Sequence, residues 1–167
     1  MGIFYKKKEC RLCNSKKIKK VISLGKTPPA NGFLKKKELL KKENFIPLDI
    51  FFCTNCSHLQ LGSVVDPKLL FNNYVYVSGT SKVFLDHFKN YAFNLIKAFN
   101  LKKNDLVVDI GSNDGTFLNF FKKKKIKIIG VDPAKKISSK ANSKKINTIN
   151  AFFSKKIANQ IINKYGH

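Results

Sequence analysis

Between Leu106 and Leu118 a short apolar, β-branched run reaches Asp109 and Ile110. It turns through Gly111-Ser112-Asn113-Asp114-Gly115 and continues into Thr116, Phe117 and Leu118. Such a run reads as a buried parallel strand. Phe117, Leu118, Phe120 and Phe121 then give the next segment the apolar face of a helix. Strand, glycine turn and helix build a nucleotide-sized crevice at the carboxyl ends of the strands of an open α/β sheet. Glycine at 111 and 115 lets backbone approach a ligand, and Asn113 between them tolerates left-handed torsions.

A second strand, Ile126–Val131, ends in Asp132-Pro133-Ala134. Asp132 stands 21 residues after Gly111, where an acidic side chain at the strand tip can take ribose hydroxyls. The turn is not a dinucleotide fingerprint, because G-x-G-x-x-G is replaced by Asp109-x-Gly111-x-Asn113-x-Gly115. A helix from about Ala134 to Ser143, a third strand from Ile146 to Ile149 and a last helix to about Tyr165, capped by Gly166, complete half of a doubly wound sheet. The flank of that third strand is expected to be an open edge.

The four cysteines come as two pairs, Cys10-x-x-Cys13 and Cys53-x-x-Cys56. Each pair forms a tight knuckle that aims two thiolates at one point, and two knuckles make the closed four-sulfur shell of structural zinc. Buried or redox cysteines are the alternative. His58 is close enough to be a stray ligand, although four sulfurs already saturate the site. Strands are expected at Val21–Gly25, Phe45–Phe52 and Leu59–Leu61, with the proline-rich segment Pro28–Gly32 rigid and irregular between them. After a helical turn near Asp66–Phe71, Tyr74 and Tyr76 share one face of an extended segment ending at Ser81. That pair is either ordinary aromatic packing or one wall of a site for a polar ligand. From Lys82 to about Asn100, Phe84, Phe88, Tyr91, Leu95 and Phe99 recur at helical spacing, with Ser81 as N-cap and His87 beside the apolar stripe as a packing or surface residue.

With 167 residues and 43% hydrophobic composition the chain can bury a core. No apolar run reaches the ~18 residues of a membrane span, and the lysine-broken N-terminus carries no signal-peptide core; a cytoplasmic location is expected. The net charge of +23 invites a nucleic-acid partner. All but one of the 33 basic residues are lysine, however, whereas base and phosphate recognition favours the arginine fork. Lysine runs at 6–8, 35–37 and 122–125 therefore read as solvated faces. A basic zinc-ribbon module engaging nucleic acid is kept as the alternative, one whose affinity would fall steeply with salt.

The glycine turn has the register of the first motif of S-adenosylmethionine-dependent methyltransferases, with Asn113 at the middle glycine position. The whole chain resembles the sugar C-methyltransferase family, in which a zinc-binding N-terminal domain precedes a class I methyltransferase domain. The residues that carry the likeness are Cys10-Arg11-x-Cys13, Pro29-Ala30-Asn31, Pro47-Leu48 with Cys53-x-x-Cys56, and Leu59-Gln60-Leu61. They continue with Tyr74-x-Tyr76-x-Ser78-x-x-Ser81, Val108 to Gly115, and Gly130 to Ala134.

The resemblance implies an α/β architecture: a zinc-binding β-rich domain over 1–78, a linking helix over 79–100, and the first half of a Rossmann-like sheet over 101–167. It implies S-adenosylmethionine held by Ser81, Asp109, Gly111, Ser112, Asn113, Gly115 and Asp132, and structural zinc on Cys10, Cys13, Cys53 and Cys56. It also implies methylation of a carbon next to the keto group of a nucleotide-linked deoxysugar, with Tyr76 a candidate substrate contact. The family's later catalytic segments have no counterpart in these residues. The expectation is a truncated enzyme, or one piece of a split enzyme completed by a second polypeptide.

Overall fold

The computed structural model describes residues 2–166, and the chain separates into two compact units, Met1–Phe71 and Asn72–His167. The first holds β1 (Phe4–Lys6), β2 (Ile18–Thr27), β3 (Ile46–Cys53), β4 (Leu59–Leu61), β5 (Ser63–Val65) and the short helix α1 (Pro67–Phe71). Strands β2, β3 and β4 form one antiparallel sheet in that order, and β1 pairs antiparallel with β5. The pairing of β1 was not expected from the sequence, because three residues running into the lysines at 6–8 show no alternation. Strand β2 also runs past Gly25, at φ +80°, to Thr27; two register shifts against β3 absorb the irregularity that had suggested a stop at Gly25.

Register assembles the cysteines. Ile18 pairs with Cys53 across β2 and β3, so the chain leaving the first knuckle lies beside the start of the second. The Thr54 amide donates to the Lys17 carbonyl at 3.0 Å and locks the two together. Among the described residues of this unit, the buried apolar side chains are Cys10, Ile46 and Cys53. Full burial of a side chain the size of Ile46 contributes about 1.5–3 kcal/mol, far short of what ordering the unit costs.

The second unit holds α2 (Lys82–Ala98), β6 (Leu106–Ile110), α3 (Thr116–Lys123), β7 (Lys127–Val131), α4 (Lys135–Ser143), β8 (Thr148–Ile149) and α5 (Lys155–Tyr165). Strands β6, β7 and β8 are parallel neighbours in that order. Alternation along β7 decides which helix covers which face. Ile129 and Val131 pack on Ile161 of α5, while Ile128 joins Leu118, Ala141 and Ile146 on the face covered by α3 and α4. The apolar stripe of α2 lands on α3, with Ala92, Phe121 and Ile126 at the centre of that cluster. Tyr91 stacks on Phe117 at a centroid distance of 5.4 Å. His87 is exposed and stacks on Tyr91, as a surface residue would.

One expectation needs correction. Residues 72–77 form no strand, so the Tyr74–Tyr76 segment has no sheet to lie in. The two rings still meet, edge to face, at 6.5 Å. The open edge expected at the third strand is there, since β8 ends the order β6-β7-β8, and β6 forms the other edge. Strand β8 is two residues long, whereas five-residue β6 pairs, among the described residues, only with β7. On β6, Val108 and Ile110 are 38% and 58% exposed, on the face where Leu106 meets the α5 cluster.

Candidate metal centre and glycine-turn site

The two cysteine knuckles share one backbone pattern. Cys10 N–H donates to Ser15 O and Asn14 N–H to Cys10 O, and Cys53 N–H donates to His58 O and Ser57 N–H to Cys53 O. Each knuckle closes on a left-handed residue, Asn14 at φ 57° and Ser57 at φ 60°. The four sulfurs lie within 4.8 Å of one another; Cys10 and Cys56 are 3.6 Å apart and Cys13 and Cys53 are 3.7 Å apart. A tetrahedral four-thiolate zinc site, with metal–sulfur bonds of about 2.3 Å, needs sulfurs about 3.8 Å apart. All four cysteines are free, and the set is suited to hold one metal ion.

The Ser15 amide holds the Cys13 thiol down at about 6, and its hydrogen bond to Cys13 pushes Cys56 up to about 12. One thiolate of this pair therefore forms readily while Cys56 resists. Asn55 Nδ2 also donates to the Cys13 sulfur at 3.6 Å. His58 is outside the sulfur cluster and contributes through its backbone.

Sequence reasoning missed Gln60. Buried on β4, it accepts from the Arg11 amide through Oε1 at 2.7 Å and donates from Nε2 to the Glu9 carbonyl at 3.0 Å. It thus grips the first knuckle from both sides. In the sequence it stands out only as the centre of Leu59-Gln60-Leu61, one of the segments that carry the family likeness.

In the second unit the glycine turn crosses the tips of β6 and β7. Gly111 and Ser112 amides both donate to Val131 O, at 2.8 and 3.3 Å. Gly111 has φ +80°, and nothing lies within 4 Å of where a Cβ would stand, so its backbone faces open space. Gly115, at φ +74°, is different: a Cβ there would stand 2.5 Å from Ile146, so this glycine closes the turn onto the core. Ser112 is buried, its Oγ where a Cβ on Gly130 would collide with it, and without a hydrogen-bond partner among the described residues. Ser81 is half-buried at the N-cap of α2, and its side chain makes no capping bond.

The two carboxylates stand at the strand tips. Burial, and then the charge of Asp132, raise the Asp109 carboxyl to about 6. Asp132 is buried; Oδ2 accepts from the Asn113 amide at 2.9 Å and Oδ1 from the Ala134 amide at 2.8 Å. Its first task is to tie the turn to the end of β7, and its remaining lone pairs are what a ligand could use. Asp114, not singled out by the sequence, accepts from the Thr116 hydroxyl at 2.6 Å and pairs with Lys144 at 3.2 Å. Burial works to raise its carboxyl, but Thr116 and Lys144 outweigh it and hold the group below the ordinary range. Asn113, in the left-handed region at φ 50°, uses its side chain as well: Oδ1 accepts from the Ser78 amide and Nδ2 donates to the Tyr76 carbonyl.

Residues 10–71 match a methyltransferase-associated family described as "Putative zinc binding domain". The chain is also 32% identical over 158 residues to the C-methyltransferase NovU of Streptomyces niveus. That alignment covers 95% of this chain and 38% of NovU. Together the two matches support a relationship to the methyltransferase family.

Proposed function

We propose that the chain is the zinc- and donor-binding portion of an S-adenosylmethionine-dependent C-methyltransferase. The observation that carries this reading is the open backbone at Gly111 beside Asp109 and Asp132, at the carboxyl ends of β6 and β7. A donor bearing a sulfonium, an ammonium and a ribose asks for close backbone, acceptor carboxylates and no phosphate cradle. The residues present fit it. When bound, the donor supplies an electrophilic methyl. Gly111 admits it, Asp109 offers negative charge to its cationic groups, and Asp132 holds the turn and offers remaining lone pairs to ribose hydroxyls.

Zinc on Cys10, Cys13, Cys53 and Cys56 is structural in this reading, since four thiolates leave no open position for water. Following the resemblance, the acceptor is a carbon next to the keto group of a nucleotide-linked deoxysugar, with Tyr76 a substrate contact and the proton-abstracting group supplied by polypeptide outside these residues. The unpaired side of β6 supports that last point. A further parallel strand and helix there would cover Val108 and Ile110.

The test is calorimetric titration of the zinc-loaded chain with S-adenosylhomocysteine. Gly111→Ala adds a methyl group that meets no protein atom, so the fold survives with modest backbone strain while ligand approach is blocked. Binding by the native chain that Gly111→Ala abolishes supports the site. Equal affinity in both rules it out.

A further inference from the structure

The side chain of Asn113 is engaged on a side of the turn that the donor reading does not use. Its Oδ1 accepts from Ser78 N–H at 3.0 Å and from its own neighbour Asp114 N–H at 2.9 Å, while Nδ2 donates to Tyr76 O at 2.9 Å. Its backbone amide is spent on Asp132 Oδ2. One residue therefore joins the strand tip, the start of α3 and the irregular segment 74–80. That segment has no sheet partner of its own, although its 3-10 turn, Ser78–Thr80, presses on the same spot. A Cβ on Gly79 would stand 2.6 Å from Thr116 Oγ1 and 3.0 Å from Asp114 Oδ2. Gly79, Asp114 and Thr116 also border a cavity of about 590 Å³.

We propose that Asn113 is a positioning residue that couples donor binding at the glycine turn to the ordering of the tyrosine-bearing strap, residues 74–80. The coupling rests on the donor-site reading above. A donor that immobilises Gly111 and Asp132 immobilises the Asn113 backbone between them, and so lowers the entropy cost of holding Tyr76 and Ser78. By linkage an ordered strap favours donor binding by the same factor. The strap brings the Tyr74–Tyr76 pair beside the turn, which makes it a device for presenting an aromatic wall to an acceptor substrate only when the donor is in place.

Hydrogen–deuterium exchange on the full zinc-loaded chain, with S-adenosylhomocysteine as probe, tests this. Asn113→Gly keeps the left-handed turn, because glycine adopts φ 50° freely, and removes the tether together with the Oδ1 bond to the Asp114 amide. Gly79→Ala leaves Asn113 intact and pushes the strap off Thr116. The expected result in the native chain is strap protection that rises on adding the probe. In both variants the strap exchanges fast while residues 127–131 stay protected. Probe affinity falls on the order of tenfold, and the probe no longer protects the strap. Unchanged strap protection in Asn113→Gly overturns the tether. A freed strap with affinity within about twofold of native overturns the coupling. If the native chain binds no probe, the donor reading fails and the coupling with it, while the ligand-free comparison still judges the tether separately.

Discussion

Asp109 carries the clearest pH signature. Its folded carboxyl titrates near 6, against an ordinary value of 3.8. Below about pH 4 both folded and unfolded states hold the proton and the full stability is present. As pH rises through about 6 the folded state must ionise a half-buried carboxylate beside Asp132, and stability is lost. Asp109→Asn should therefore stabilise the donor-free protein by about 1–2 kcal/mol at pH 7.5, after allowance for solvent screening, and by nothing near pH 4. Thermal melts across that range will show it. The same ionisation favours a cationic donor, so S-adenosylmethionine affinity should strengthen as pH rises through 6 in the native chain but not in the variant, as read by calorimetry. Ser112→Ala should be neutral or stabilising by about 1 kcal/mol in a thermal melt, since it removes a buried hydroxyl that has no partner. Asp132→Ala is a poorer probe of binding than its place in the motif suggests. It strips acceptors from two backbone amides, so melting should show a cost of about 2–3 kcal/mol before any ligand is added.

At the scale of elements, the knuckle-bearing sheet β2-β3-β4 has little apolar core, and a metal on the four cysteines would serve as its cross-link. Its apolar core is so small that chelation of the metal should collapse hydrogen-exchange protection across Ile46–Cys53 and expose four titratable thiols. Elemental analysis of the purified chain should return one zinc per molecule. Gln60→Ala leaves every sulfur in place but frees the Arg11 amide and the Glu9 carbonyl. Metal retention against a competing chelator should weaken by about 10–100-fold. Unchanged retention would mean that the knuckle is rigid without its clamp.

At the scale of the molecule, the parallel sheet is open along β6, and Ile110 is the more exposed of its two uncovered side chains. A bare, apolar edge invites association. Ile110→Lys should lower self-association in light scattering while leaving the melting profile little changed, because the side chain packs on no described core cluster. The positive charge of the chain gives no comparable feature: its basic residues are almost all lysines. Among the described residues, no helix is long and apolar enough to cross a membrane.

The sequence by itself determined the sulfur cluster and the shape of the glycine turn, because each is written within a few residues: two Cys-x-x-Cys knuckles, and an acidic-glycine turn between an apolar run and a helix. It also determined the helices and the parallel strands, through periodicity. The tertiary structure alone decided which neighbours those centres keep. Gln60 meets Arg11 across 49 residues of chain, and Asn113 meets Ser78 and Tyr76 across 35 and 37. Such partners depend on strand register and on the path of an irregular strap, and neither leaves a period to read. The same holds at the turn. Gly111 and Gly115 are equivalent as letters, and only packing shows that one faces open space while the other is pressed against Ile146.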